Sequence, residues 1–144
     1  MKTIIPALLV ALLPALPVHA TENPPPRKPL PSSQCIDTSQ INEWHIVDAR
    51  RAIVRTGPKH YLVTLENRCP HLNHPPGLIF RTSPARAGID QGRICGAIGE
   101  TVHSTNQPPC AVESVSRIDK AHFRQLTTEA ARYRQGDAAG APSH

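Results

Sequence analysis

Three short runs in the first half of the chain are rich in β-branched and aromatic residues: His45-Ile46-Val47-Asp48, Ala52-Ile53-Val54-Arg55-Thr56 and His60-Tyr61-Leu62-Val63-Thr64-Leu65-Glu66. Such side chains suit the pleated, half-buried surface of a sheet. Ala49-Arg50-Arg51 and Gly57-Pro58-Lys59 separate the runs, and the second is a turn sequence, so the pattern predicts an antiparallel meander rather than a helix. Alternation in the third run places Tyr61, Val63 and Leu65 on one face, with Leu62, Thr64 and Glu66 opposite. The first face is the predicted core and the second is partly wet.

The flanking pattern completes the element list. Ahead of the meander, Asp37 or Thr38 can cap a single helical turn in which Ile41 and Trp44, three apart, share a face and lay Trp44 over the sheet. Leu78-Ile79-Phe80-Arg81 reads as a fourth strand, followed by a long loop from Thr82 to Gly92. Arg93-Ile94-Cys95 and Glu100-Thr101-Val102-His103 read as a broken strand pair around Gly96 and Gly99. Cys110 to Ile118 reads as a closing strand, and Asp119 can then cap a terminal helix whose Phe123, Leu126, Ala130 and Tyr133 recur on one side. The predicted fold is α+β and β-rich: a small antiparallel sheet or meander with a short N-terminal helical turn and a C-terminal helix.

Composition adds the compartment. The first twenty residues have a secretory signal's layout, with Lys2, an apolar run from Ile4 to Val18 and the small-residue site Val18-His19-Ala20, so cleavage is expected near Ala20. Pro6, Pro14 and Pro17 interrupt that run, and no later stretch is long and apolar enough for a transmembrane segment. Cys35, the first cysteine, lies well beyond the apolar run, which argues against a lipid anchor. Pro24, Pro25, Pro26, Pro29 and Pro31 mark residues 21–34 as an extended linker, residues 35–134 read as one domain, and the small and polar residues 135–144 are expected to be a disordered tail.

Aromatic residues make up only 3% of the chain, so the hydrophobic interior is thin for its size. Cys35, Cys69, Cys95 and Cys110 supply the expected remedy, since an even cysteine count in an exported chain reads as two disulfides, each contributing about 2–4 kcal/mol. Three connectivities are open. The element order favours Cys69 with Cys95 and Cys35 with Cys110, which would clamp the central loop to the end of the meander and tie the domain's first residue to its closing strand. The formal net charge of +5 is spread along the chain without an aromatic-and-basic stripe, which points to a solvated surface rather than a specific nucleic-acid footprint.

The residues Arg68-Cys69-Pro70 with Leu72, Ile94-Cys95 with Glu100 nearby, the Cys110-Ala-Val-Glu-Ser-Val strand, the opening Cys35-Ile36 and the hairpin from Val47-Asp48 through Arg55-Thr56-Gly57-Pro58 to Tyr61-Leu62 resemble an uncharacterised family of small exported bacterial proteins, domain of unknown function 6491. The resemblance covers about Cys35 to Ile118. It implies a disulfide-containing, β-rich exported domain and no particular activity.

Candidate chemistry is sparse. Cys69, His71 and His74, with His103 as a fourth donor, have spacing that could converge on a borderline metal ion, but a disulfide would remove Cys69, and histidines exposed in a loop are the plainer reading. His103 and Ser104 are neighbours on a strand and point to opposite faces, so they do not form a base and nucleophile pair. Asp48 and Glu66 could meet at the sheet's end, yet acids beside arginines are more often ion-paired than catalytic. No two cysteines lie close enough in sequence for redox exchange. The expectation is therefore an exported, soluble, non-catalytic protein of the periplasm or secreted space with no cofactor, an interaction or accessory module whose partner is another envelope protein; the alternative is a small metal-binding protein that uses the His71 and His74 region.

Overall fold

The computed structural model describes residues 26–73, 77–89 and 91–140. Among these it forms eight strands and one α-helix: β1 (Ile36–Asp37), β2 (Ile41–Asp48), β3 (Arg51–Thr56), β4 (Lys59–Leu65), β5 (Leu78–Arg81), β6 (Arg93–Ile94), β7 (Thr101–Ser104), β8 (Cys110–Ile118) and α1 (Lys120–Gly140). Six strands make one antiparallel sheet in the order β2-β3-β4-β8-β7-β5, and β1 and β6 pair as a separate ribbon. The predicted α+β, β-rich architecture with a terminal helix is what the structure contains. The signal-like first twenty residues lie outside the described residues.

Local chemistry explains the meander. Thr56 pairs with Lys59, leaving Gly57 and Pro58 as a two-residue hairpin loop. Gly57 has φ +58°, and Pro58, whose ring holds φ negative, follows it, which is the residue order of a type II′ turn. In β4 the predicted alternation holds: Tyr61, Val63 and Leu65 are fully buried, while Leu62 and Thr64 are only half-buried. They join Ile46, Ala52, Val54, Val102, Val112 and Val115, with Ile36 and Ile94 of the ribbon, in the main core. Val112 and Val115 are three apart, a spacing that turns two residues to opposite faces of a regular strand. Ser114 faces Thr64 and Val112 faces Leu65, so Glu113 is an extra residue, and this bulge returns both valines to the interior.

The other face of the sheet carries a second, smaller apolar layer. Phe123 and Leu126 of α1 pack there on Val47 and Ile53, flanked by Leu62 and Ile118. Asp119 caps the helix as predicted, its carboxylate accepting from the His122 N–H at 2.7 Å. The helix then runs through Gly140, further than the tail boundary expected at Gln135. The sheet is curled, so Trp44 on its β2 edge lies beside Gly77 at the start of the opposite edge strand.

Three expectations need correction. The disulfides are Cys35–Cys95 and Cys69–Cys110 rather than Cys69–Cys95 and Cys35–Cys110. The cause is strand pairing: Ile36 faces Ile94, which sets Cys35 opposite Cys95 with Cα atoms 4.6 Å apart. Similarly, β4 runs antiparallel to β8, and the Glu66 N–H donates to Ala111 O at 3.0 Å, which brings the end of β4 to the start of β8 and Cys69 to Cys110. Second, the Arg93–Ile94 strand pairs with β1 and not with the Thr101–Ser104 strand, which instead lies between β5 and β8. Third, the one-turn helix stops at Gln40, where Asp37 caps Ser39, and Trp44 belongs to β2. Its indole reaches the core as a strand residue facing Val54 of β3.

The proline-rich segment makes specific contacts with the domain from Arg27 onward. The Arg27 guanidinium donates to Val112 O at 3.0 Å and pairs with the Glu66 carboxylate, and the Leu30 N–H donates to Cys95 O at 2.8 Å.

Candidate functional site

Cross-strand register sets up a concave surface beside the helix. Glu43 of β2 faces Arg55 of β3, and Arg55 faces His60 of β4, so the three form one row across the outer face of the sheet. On α1, Lys120, Phe123, Arg124 and Thr127 recur at the spacing of one helical face. Docking that face on the sheet through Phe123 leaves a groove of about 520 Å³ between the row and the helix, lined by both sets and Thr128. This volume falls within the range of small-molecule sites.

The groove's electrostatics can be read residue by residue. Arg55 Nε donates to Glu43 Oε2 at 2.7 Å, and His45 Nε2 lies 2.9 Å from Glu43 Oε1. The His45 contact foremost, with Arg55 adding to it, holds the Glu43 carboxyl below its ordinary value against the opposing effect of burial. Glu43 is thus already matched by Arg55. Among the described residues, neither Lys120 nor Arg124 has a carboxylate partner, so the groove carries a surplus of positive charge. Phe123 closes its floor, with the His60 ring centred 4.8 Å from the phenyl ring. The Thr127 hydroxyl donates back to Phe123 O at 2.9 Å, which leaves its oxygen able to accept a further bond.

A second hollow of about 380 Å³, near the far end of the helix, involves Asp48, Arg50, Arg51, Arg68 and Tyr133. Its charges serve mostly to brace the fold. Arg50 donates to Leu65 O at 3.0 and 3.2 Å and to Glu66 O, and Arg51 bridges Asp48 at 2.6 Å and Glu129 at 3.2 Å. Burial works to raise the Asp48 carboxyl, but the Arg50 N–H and the Arg51 guanidinium outweigh it and hold it below its usual value.

Glu100, almost fully buried, organises the turn that follows β6. Its carboxylate accepts from the Cys95 N–H at 2.9 and 3.2 Å and from the Gly96 N–H at 2.7 Å. Burial pushes its carboxyl above the ordinary value, against the pull of the Cys95, Gly96 and Ala97 amides and of Arg86. Gly96 at this turn has φ +87°, and a Cβ there would lie 2.8 Å from the Val115 backbone nitrogen, so a side chain is excluded on both counts.

The structure disperses the residues that the sequence singled out. Cys69 is bonded to Cys110 and is therefore not a metal ligand. His71 sits in the short 3-10 turn Pro70–Asn73, His74 lies outside the described residues, and His103 is on β7 facing Ile79 of β5. His103 Nδ1 is buried without a hydrogen-bond partner. No three His, Cys, Asp or Glu side chains among the described residues gather closely enough to hold a metal ion. The Ser104 hydroxyl points inward and donates to Leu72 O at 2.7 Å. Asp48 and Glu66 are each paired with an arginine, Arg51 and Arg27 respectively. The groove residues Glu43, His60 and Lys120 carry no sequence motif. Lys120 and Arg124 stand one helical turn apart, but which sheet residues they oppose depends on how α1 docks.

No curated protein and no solved structure matches the chain. No helix among the described residues is long and apolar enough to cross a membrane. A family model matches residues 1–134, nearly the whole sequence including the paired cysteines and the Glu100 turn, and by that match the chain belongs to DUF6491, a family of unknown function.

Proposed function

We propose that the protein is exported by cleavage near Ala20 and acts in the periplasm or outside the cell as a non-catalytic binding or accessory module for another envelope component. One observation carries the reading: all four cysteines are engaged in two disulfides, bonds that persist in oxidising compartments and are rare where thiols are kept reduced. The engagement of Ser104, Asp48 and Glu66 with structural partners also favours a scaffold over a reactive centre.

The test is fractionation of cells expressing the full chain, with intact mass measured after alkylation without reductant. The reading expects an envelope or secreted species that starts at Thr21 and takes up no alkylating groups. A cytoplasmic species that retains Met1 and takes up four would overturn it.

A further inference from the structure

We propose that the groove between the Glu43-Arg55-His60 row and the first turns of α1 is a binding site for a small organic anion bearing a phosphate or carboxylate group. The inference concerns what the groove recognises and does not depend on where the protein resides. Three observations converge on it. The groove is large enough for a small molecule and is built from both the sheet and the helix. Its one acid, Glu43, is held by Arg55 and His45, so it is matched before any ligand arrives. Lys120 and Arg124 lie one turn apart on the helix wall without a carboxylate partner among the described residues.

A cation surplus at the mouth of a pocket draws in anions and can give charge-assisted bonds to a phosphate or carboxylate oxygen. Arg55 uses Nε on Glu43, and a guanidinium has further N–H donors on its terminal nitrogens. The Phe123 floor and Thr127 would face the body of the molecule. In the second hollow, by contrast, Arg50 and Arg51 already satisfy carbonyls and carboxylates, which leaves Arg68 as its one uncommitted cation among the described residues, against Lys120 and Arg124 in the groove.

The experiment follows backbone amide NMR signals of the oxidised, nitrogen-labelled protein while phenyl phosphate is added at low salt, with benzyl alcohol as the uncharged counterpart. Saturable shifts confined to Glu43, Arg55, His60 and the first two turns of α1 are expected with phenyl phosphate alone. The double variant Lys120→Gln, Arg124→Gln alters exposed side chains and should weaken that binding about tenfold, as expected for loss of charge-assisted contacts. Arg132→Gln with Arg134→Gln removes the same charge further along the same helix and should leave affinity unchanged. The proposal is overturned by an absence of saturable shifts, by equal binding of benzyl alcohol, or by equal weakening in both double variants. The last outcome would reduce the effect to net charge.

Discussion

Removing the Glu100 carboxylate tests the account of the turn that joins the small ribbon to the main sheet. Its oxygens accept from the Cys95 and Gly96 amides, and both residues are buried. Glu100→Ala leaves those two N–H groups without partners and without water, at about 1–3 kcal/mol each, so a loss of about 2–6 kcal/mol is expected. Glu100→Gln keeps one acceptor but turns its amide NH₂ toward a backbone donor, for an expected loss of about 1–3 kcal/mol. The pH dependence gives a second, independent sign. Because the folded-state carboxyl lies above its ordinary value, the folded chain holds the proton more tightly than the unfolded chain. The contribution is therefore fully present below the unfolded value of about 4.5 and is lost as pH rises through the folded value. Glu100→Gln does not titrate, so the gap between it and the parent should narrow with rising pH over that window. Guanidinium unfolding followed by Trp44 fluorescence, run at a series of pH values on oxidised protein, measures both. A Glu100→Ala loss below about 0.5 kcal/mol, or a gap that widens with pH, would falsify the reasoning.

Other expectations follow from the same geometry. Replacing Cys69 and Cys110 together with alanine opens a loop of 41 residues and should cost about 4 kcal/mol by the loop-entropy relation, seen as a fall in the guanidinium midpoint. Glu43→Gln should flatten the acid limb of unfolding: the Glu43 carboxyl is held low, so its contribution is present above the unfolded value and is lost as pH falls through the folded one. Thermal melts at acidic and neutral pH would show the variant and parent converging in acid. Asp119→Ala removes the cap on α1 and should cost about 1 kcal/mol, with loss of helical circular dichroism on heating preceding loss of the Trp44 signal.

Local pattern made much of the fold legible. The Leu78–Arg81 and Cys110–Ile118 strands, the β4 alternation and the Asp119 cap all follow from periodicity and turn chemistry within a few residues. What stayed hidden depends on pairing between distant segments. Arg93-Ile94 has β character, but nothing in its sequence says that its neighbour is Ile36-Asp37 rather than Thr101-Val102, and the connectivity of Cys35 and Cys95 turns on that choice. Trp44 misled for a different reason: its spacing from Ile41 fits a helical turn, yet the bulge between Ile41 and Glu43 in β2 puts it on the core face of a strand instead. The groove was illegible because its members come from three strands and a helix, and their meeting is set by how Phe123 docks.

Both crosslinks close at or before Cys110, so α1 lies wholly outside every covalent ring. A protease nick just after Asp119 would therefore release it while the sheet stays stapled shut. The remnant would show Val47, Ile53, Leu62 and Ile118 as a bare greasy strip. Such a fragment fails by sticking to its own kind rather than by unravelling, which makes the integrity of the carboxyl-terminal arm the guardian of this protein's colloidal behaviour.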